Sequence, residues 1–400
     1  MKKVPFILLL FLLLLECGVY GAPSQLRFVG YYEGPVRMEI EKLVADFNRT
    51  QSDIVVTYEY VPFHNLKRQL LIADTLHELP DITIIDNPDN AAFAKKAIFA
   101  DITDLVKQWS GYGNFFPGPW NSTFYKGRQY GIPFTSNCLA LFYNKAILDK
   151  YGISVPKTWE ELRSAARKLS DGNHYGIVIS AVNTEEGTFQ FLPWYLSAEG
   201  EMTKINSESG IRALKFLRAL ITDGSMSPEV VSWTMGDIQK QFSAGKAAMM
   251  INGPWIFSSI ERDSPELKYG VSKVPKDRHF ASVLGGENIA IIDNDHIDES
   301  WTFLQYLVSR ETMSRYVLAT GYLPPRKDVI SLNERWSDNP IMSVFLEQMK
   351  YASPRGPHPR WPELSNLLSN TYQEVLSGFN TPTKAMEAIH KQWDEIIQSP

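Results

Sequence analysis

The chain has 400 residues, of which 44% are hydrophobic and 21% are charged, a composition typical of a globular protein with room for two domains. Its 40 Lys and Arg residues against 45 Asp and Glu residues give a formal net charge of -5. A nucleic-acid-binding role is disfavoured, because no global basic field is present to hold phosphates.

The N-terminus has the parts of a secretory signal peptide. Met1-Lys2-Lys3 supplies positive charge, Val4 to Leu15 is a Leu-rich apolar run, and the small residues Gly21-Ala22 follow. The run is too short for a comfortable membrane span, and no later stretch is long enough to be one. We expect residues 1–21 to be removed and the mature protein to be exported to the periplasm or the cell exterior.

The two cysteines bear on whether the exported protein is anchored to the membrane and whether it contains a disulfide. Cys17 ends the apolar run, so a lipoprotein anchored to the membrane through this residue is the alternative to plain cleavage. Glu16 stands where lipoprotein cleavage boxes usually have Gly, Ala or Ser, and this favours cleavage near Gly21. After either event Cys138 has no intramolecular disulfide partner, and we expect it to be a small core residue.

Strand and helix signals alternate along the first third of the chain. Apolar residues at helical spacing separate short β-rich runs, which indicates βαβ units and parallel sheets. The predicted strands are Leu26 to Tyr31, Ile54 to Val61 and Asp81 to Ile85. The predicted helices include Val36 to Phe47, Leu66 to Leu76 and Ala91 to Phe99. The segment from Trp109 to Tyr130 is rich in Gly, Pro and Asn, which marks an irregular connection.

The alternation resumes beyond a predicted domain boundary near Pro133. Thr158 with Glu161 forms a capping-box pattern for a helix Trp159 to Leu169. Further predicted helices are Gly187 to Leu196, Ser209 to Ile221, Gln239 to Ala244 and segments around Ser300 to Tyr316. Predicted strands are Leu139 to Tyr143, Tyr175 to Ile179, Ala247 to Asn252, Tyr269 to Val274 and Asn288 to Ile292. The second part is therefore also predicted to be α/β.

One segment resembles a known family signature. Pro133 to Lys150, with Tyr143-Asn144 followed by a spaced apolar residue and a charged end, resembles that of the family 1 extracellular solute-binding proteins. These are the maltose- and trehalose-binding type that serve ABC importers. Other landmarks agree in order along almost the whole mature chain: Pro80-Asp81-Ile82, Gly245-Lys246-Ala247-Ala248-Met249, Asn252-Gly253-Pro254-Trp255, Leu284-Gly285-Gly286, Gly321-Tyr322-Leu323-Pro324 and Pro354-Arg355.

The resemblance implies a two-lobed α/β fold, each lobe a mostly parallel sheet flanked by helices, with a hinge that closes on the ligand. It assigns residues 22–133 and 286–326 to an N-terminal lobe, and residues 134–285 and 327–400 to a C-terminal lobe. It also implies a carbohydrate ligand, delivery to the permease subunits of an ABC importer, and a monomer. No cofactor or metal is implied.

A sugar cleft needs two kinds of side chain. Carboxylates, amides and Arg pair with hydroxyl groups, because an unmatched buried polar group costs roughly 1 to 3 kcal/mol. Trp and Tyr stack on the apolar faces of sugar rings. Residues on turns after strands are the best candidates. By position or by resemblance, the predicted ligand-binding residues are Tyr32, Glu33, Asp86, Asn87, Asn137, Trp194, Trp255, Gly286, Glu287, Tyr322 and Arg355.

Each candidate has a structural alternative. Glu33 could cap the following helix, Asp86 and Asn87 could cap the next one, and Glu287 could be a solvated hinge residue. A surface position is the alternative for Arg355. Core packing is the alternative for the aromatic candidates and weighs at least as much as ligand binding for Trp194, Tyr322 and Trp361, of which Trp361 is set aside.

A glycosidase is the competing function, because carboxylates and aromatic rings also line its cleft. Glu33, Asp86 and Glu287 could supply an acid and a nucleophile, although the sequence does not fix their separation. Nucleophile-elbow, phosphate-loop and zinc-protease patterns are absent, and the seven His residues are scattered. We therefore predict no catalytic residues and no metal ligands, and place a binding protein ahead of an enzyme.

Overall fold

The computed structural model describes residues 22–398 apart from 203, 206, 333, 334 and 357. The predicted signal peptide, with Cys17, lies outside the described residues. No helix in the described part of the chain has both the length and the apolar character needed to cross a membrane. Cys138 is fully buried with a free thiol, as expected from the sequence.

Alternating strands and helices build the first part of the chain. The strands are β1 (Ser24–Gly30), β2 (Ile54–Tyr60), β3 (Ile82–Asp86), β4 (Phe124–Tyr125), β5 (Arg128–Gln129) and β6 (Ile132–Pro133). The helices are α1 (Gly34–Thr50), α2 (Phe63–Leu76), α3 (Asn90–Lys95), α4 (Thr103–Gln108) and α5 (Pro117–Asn121). The helix predicted to reach Phe99 ends at Lys95, because Ala97 turns into a left-handed backbone conformation with φ of 56°.

The second part continues the alternation. Its strands are β7 (Asn137–Cys138), β8 (Ala140–Asn144), β9 (Met249–Asn252), β10 (Tyr269–Ser272), β11 (Ser282–Gly285), β12 (Glu287–Ile291) and β13 (Ala352–Pro354). Its first helices are α6 (Lys145–Lys150), α7 (Trp159–Leu169), α8 (Glu185–Ser197), α9 (Glu208–Thr222), α10 (Met235–Ser243) and α11 (Phe257–Asp263). The later ones are α12 (Ile297–Leu307), α13 (Arg310–Thr320), α14 (Lys327–Ile330), α15 (Arg335–Asp338), α16 (Pro340–Met349), α17 (Trp361–Ser377) and α18 (Pro382–Ile397).

A five-stranded sheet, ordered β2-β1-β3-β12-β6, forms the centre of what we call the first lobe. The strands β2, β1 and β3 are parallel, whereas β12 runs antiparallel to both β3 and β6. Helices α1, α12 and α13 pack together on this lobe. All five residues of β3 are buried, so its apolar run carries Asp86 to the carboxyl end of the sheet.

The second lobe is built around a three-stranded sheet, ordered β10-β8-β9, with α8, α9, α17 and α18 packed together beside it. Both strand pairs are antiparallel, which corrects the prediction of a mostly parallel sheet in this lobe. The predicted strand Tyr175 to Ile179 is also wrong. The segment is buried but pairs only through isolated parallel bridges, from Tyr175 to Ala247 and from Val178 to Met250.

The chain crosses between the two sheets along paired segments. Residues 133–137 leave the first lobe and residues 285–287 return to it, held together by the pairing of Gly285 with Asn137 and of Asn288 with Pro133. Gly286 has a φ of +128°, and a Cβ at this position would lie 2.4 Å from the carbonyl oxygen of Thr135. Only glycine fits this crossing. The residue limits assigned above to the two lobes stay a prediction.

Candidate functional site

A cleft with a cavity of about 540 Å³ lies between the two lobes. Its walls come from the turns after β1 and β3, the N-terminal turns of α8 and α10, the crossing segments and the 3-10 turn Pro254–Ile256. The cavity therefore lies beyond the carboxyl ends of the first-lobe strands, where open α/β sheets bind their ligands. Its lining combines carboxylates, amides and aromatic rings.

Arg355 links groups of both lobes inside this cleft. Its Nη1 donates to Asp86 Oδ2 at 2.8 Å and to Glu185 Oε1 at 2.6 Å. Its Nη2 donates to Asp86 Oδ1 at 2.6 Å and to Asn87 Oδ1 at 3.2 Å, and its Nε donates to the carbonyl of Leu284 at 3.4 Å. A guanidinium has five N–H groups, so protein acceptors take all the donors of Arg355.

The carboxylates on Arg355 are themselves buried and held. Glu185, at the start of α8, accepts a further hydrogen bond on Oε2 from the indole nitrogen of Trp361 at 3.0 Å. Burial raises the pKa of Asp86, and the Arg355 guanidinium opposes that rise. The two hydrogen bonds from the Arg355 guanidinium favour the ionised form of Asp86. Arg355, Asp86 and Glu185 thus form the floor of the cleft, a buried cluster in which each charge contacts a charge of opposite sign.

A third buried carboxyl group, Glu287, begins β12. Its Oε2 accepts from the hydroxyl of Thr135, and no Lys, Arg or His among the described residues lies within ion-pair distance. Burial raises the pKa of Glu287 to about 8, and the neighbouring Asp86 adds to the rise. The hydroxyls of Tyr31 and Tyr32 oppose it to a smaller extent.

Aromatic side chains supply the flat surfaces of the cleft. Trp255 lies in the 3-10 turn after Gly253, half-buried, with its ring centroid 6.3 Å from that of Phe189. A Cβ on Gly253 would lie 1.9 Å from the Trp255 indole, so the glycine makes room for the ring. Tyr31 and Phe63 line the opposite side in an edge-to-face pair with centroids 4.9 Å apart. Rings from both lobes thus face one cavity.

A match to the model of a known protein family identifies the family of this chain. The model of the bacterial extracellular solute-binding proteins matches residues 42–344. The chain belongs to this family. The two-lobed architecture and the position of the cleft agree with the assignment, and family membership implies an exported protein.

Relatives of this solute-binding protein support the same assignment. It is 25% identical over 370 residues to the maltotriose-binding protein of Pyrococcus abyssi, covering 89% of this chain and 78% of the relative. An ABC transporter solute-binding protein from Thermotoga lettingae, solved with α-D-tagatose, has a TM-score of 0.88 and 28% identity, covering 94% of this chain and 100% of that one. Maltose-bound MalE3 of T. maritima shares the fold, with a TM-score of 0.85 and 24% identity over 93% of this chain and 99% of that one.

The structure of this solute-binding protein brings most of the predicted site residues together. Those that line the cleft are Tyr32, Glu33, Asp86, Asn137, Trp255, Gly286, Glu287, Tyr322 and Arg355. Asn87 does not line the cavity; it is buried beside it and accepts from Arg355. Glu33 is the residue before α1 but makes no side-chain cap, and its carboxylate accepts instead from the Tyr60 hydroxyl at 3.1 Å.

The prediction for Trp194 needs correction. Its side chain is 0% exposed and lies in the apolar core of the second lobe, beside Trp159 and Phe216 rather than beside the cleft. Almost every residue of α8 is buried, so the apolar pattern does not reveal which face meets the cavity. Trp361 is also a core residue, although its indole nitrogen holds Glu185 in place.

The first turn of α8 belongs to the site although its sequence does not predict this. Glu185 and Glu186 both line the cleft, and Thr184 caps the helix by accepting from the backbone of Glu186. Glu186 reaches across to His64 of the first lobe, 3.2 Å from its Nε2, and this raises the pKa of the imidazole. A Thr followed by two acidic residues is typical of the start of a helix. Here the two acidic residues of that pattern also line the cleft.

Within the described residues, no group of three or more His, Cys, Asp and Glu side chains is arranged to hold a metal ion. The carboxylates of the cleft face Arg355, Thr135 and His64 instead. The site is therefore organised around hydrogen bonds and ring faces.

Proposed function

We propose that this protein binds a di- or oligosaccharide in the cleft between its lobes and delivers it to the permease subunits of an ABC importer. It acts as an exported monomer and needs no cofactor. Anchoring through Cys17 stays the alternative to a freely diffusing mature chain.

The observation that carries this proposal is the composition of one cavity. Carboxylates, an amide and aromatic rings from both lobes line a volume of about 540 Å³. Small-molecule sites commonly measure roughly 300–1,000 Å³ and combine apolar walls with a few placed polar groups. Sugars have hydroxyl edges and apolar ring faces, so this combination matches their chemistry.

The relatives point to the same ligand class. One is named for maltotriose, and one solved neighbour holds α-D-tagatose. Their ligands differ in length, so the shared feature is a carbohydrate and not one particular sugar. The position of the cleft between two sheets joined by paired crossings suits a ligand enclosed by domain closure.

The contacts of the cleft carboxyl groups argue against glycoside hydrolysis. A retaining or inverting glycosidase needs one carboxylate free to attack the sugar or to activate water. Both oxygens of Asp86 are occupied by Arg355, and Glu33 accepts from Tyr60. Glu287 could act as an acid, but the carboxylate opposite it in the sheet is that of Asp86, which is fixed by two hydrogen bonds from Arg355. We therefore propose reversible binding without turnover.

A thermal-shift screen of the mature chain against mono- and oligosaccharides tests the ligand class. A sugar that binds only the folded state raises the unfolding midpoint, with about 2.7 kcal/mol of stabilisation at a hundred times its Kd. Chromatography of the best hit after long incubation should return the sugar unchanged. Turnover proportional to protein concentration, lost in Glu287→Gln, would favour the glycosidase.

Two variants that each replace one aromatic residue by Ala distinguish a sugar bound in the cleft from a sugar bound elsewhere on the surface. Trp255→Ala should reduce the thermal shift that the best sugar produces. Phe379→Ala removes a ring that is 88% exposed and does not line the cleft, and should leave the shift unchanged. Equal shifts in the two variants would place the sugar outside the cleft.

A further inference from the structure

Two carboxyl groups meet at the floor of the cleft. Glu287 and Asp86 are directly opposite each other in the antiparallel pair of β12 and β3, and both line the cavity. Each residue is 7% exposed. Two ionised carboxylates at paired positions of a buried site repel each other, and the charge of Asp86 accordingly raises the pKa of Glu287.

The partners of the two carboxyl groups decide which one stays ionised. Asp86 receives two N–H groups of Arg355, at 2.6 and 2.8 Å. Glu287 receives a hydroxyl from Thr135 and meets no cation of the described residues within 4.0 Å. The positive charge therefore stabilises the Asp86 carboxylate and leaves Glu287 as the group that remains protonated.

The other groups that face Glu287 do not reverse this assignment. Thr135 comes from the first crossing. The charge of the Arg355 guanidinium lowers the pKa of Glu287 directly, but this effect is smaller than the rise caused by burial and by Asp86. Four tyrosines interact electrostatically with the same carboxyl group, from the turn after β1 and from α13 and its C-terminal end: Tyr31, Tyr32, Tyr316 and Tyr322. Burial raises the pKa of each of these tyrosines well above its ordinary value, so they stay neutral near pH 8 to 9.

We propose that Glu287 recognises the sugar as a neutral carboxylic acid that donates a hydrogen bond to a sugar oxygen. The ionised Asp86 accepts from a sugar hydroxyl through a lone pair that its bonds to Arg355 leave open. This rests on the proposed carbohydrate function. It gives the cleft floor one donor and one acceptor on adjacent strands, which suits two neighbouring sugar oxygens. A ligand with a protonated amine at this position would require the opposite state of Glu287.

The proposal predicts a pH dependence of a definite sign. Because burial raises the pKa of Glu287 to about 8, the donor is present at neutral pH and is lost above that value. Ionisation also places a second negative charge beside Asp86. If only the protonated form binds, affinity for a neutral sugar falls about tenfold for each pH unit above the pKa.

Glu287→Gln is the informative variant, because an amide keeps a donor and cannot ionise. The probes are the neutral trisaccharides maltotriose, cellotriose and raffinose, titrated calorimetrically at about pH 7 and about pH 9. Wild type should bind at least one probe and lose about tenfold in affinity at the higher pH. Glu287→Gln should bind the same probe within about threefold of wild type at pH 7, with little change at pH 9. Glu160→Gln, on an exposed face of α7, controls for a lost surface carboxylate.

The outcomes separate this proposal from the function on which it rests. Binding by wild type that is abolished in Glu287→Gln, or that is unchanged at about pH 9, would overturn the donor role alone. A glucosamine trimer that binds more tightly than the neutral probes and depends on ionised Glu287 would also overturn it. If wild type binds none of the sugars at either pH, the carbohydrate function fails and the donor role fails with it.

An infrared measurement provides a readout without ligand. A protonated carboxyl band should be present at neutral pH in wild type, disappear as the pH rises through about 8, and be absent in Glu287→Gln. The band should remain in Glu160→Gln. Its absence from wild type at neutral pH would overturn the neutral state of Glu287.

Discussion

Replacing Arg355 by Met removes a buried charge while keeping an apolar side chain of similar length. Arg355 is 5% exposed, and its guanidinium serves Asp86 of the first lobe and Glu185 of the second. Without it, two buried carboxylates lose their cation, and Asn87 and the Leu284 carbonyl lose a donor. We expect this substitution to destabilise the folded protein substantially.

The size of the effect follows from the burial of the pair. Removing one partner of a buried ion pair costs about 3–5 kcal/mol, because the remaining charge is left uncompensated. The unfolding entropy of a chain of this length is roughly 0.8 kcal/mol per kelvin. The unfolding midpoint should therefore fall by roughly 4–6 K.

Differential scanning calorimetry of three variants tests this reasoning. Arg355→Met should show the full loss, and the triple variant Arg355→Met/Asp86→Asn/Glu185→Gln should recover most of it, since no charge is then stranded. Arg37→Met, which breaks an exposed pair with Glu41 on α1, should change the midpoint much less. A midpoint within about 1 K of wild type in Arg355→Met, or no recovery in the triple variant, would refute the account of a buried charge network.

Three further predictions concern the cleft and its closure. Trp255→Ala should weaken sugar binding by roughly 1 to 3 kcal/mol, measured by titration, while the melting transition shows that the fold persists. A much lower melting temperature, with normal sugar binding by the protein that remains folded, would show that Trp255 is a core residue. Sugar should lower the radius of gyration in small-angle scattering, because the crossings near Pro133 and Gly286 form a hinge; an unchanged radius at saturation counts against closure. Glu186 raises the pKa of His64, so below the ordinary histidine pKa of 6.5 the imidazole is charged and its ion pair with Glu186 favours closure of the lobes. This ion pair is lost as the pH rises through the raised pKa of His64. His64→Gln should therefore flatten the pH dependence of compaction in the same scattering experiment, and an unaltered profile would exclude this pair as its cause.

Local signals predicted much of the fold. The helix Trp159 to Leu169 agrees with α7 because Thr158 caps it and its apolar residues recur at helical spacing. The turn after β3 was also found from sequence, because a buried apolar strand that ends in Asp86 places that carboxylate at the sheet edge. These features depend on neighbouring residues, which a sequence displays directly.

Features that depend on distant partners were missed. The run Tyr175 to Ile179 looks like a strand but contacts its neighbours through single bridges, which its own residues do not encode. The role of Glu185 depends on Arg355, which is 170 positions away. Trp194 is a predicted cleft residue with core packing as its alternative, and the structure shows it in the core. Because α8 is buried on nearly all sides, it gives no apolar stripe from which to orient this ring.

Isothermal titration calorimetry of the mature wild-type chain with the sugar selected by the thermal-shift screen tests the central claim most directly. We predict discrete heats that saturate at one sugar per chain, with a negative heat-capacity change from apolar burial, and recovery of the sugar intact. Sustained heat output after each injection would indicate turnover and contradict the binding function. No saturable heat with any sugar of the screen would contradict the assignment of a carbohydrate to this cleft.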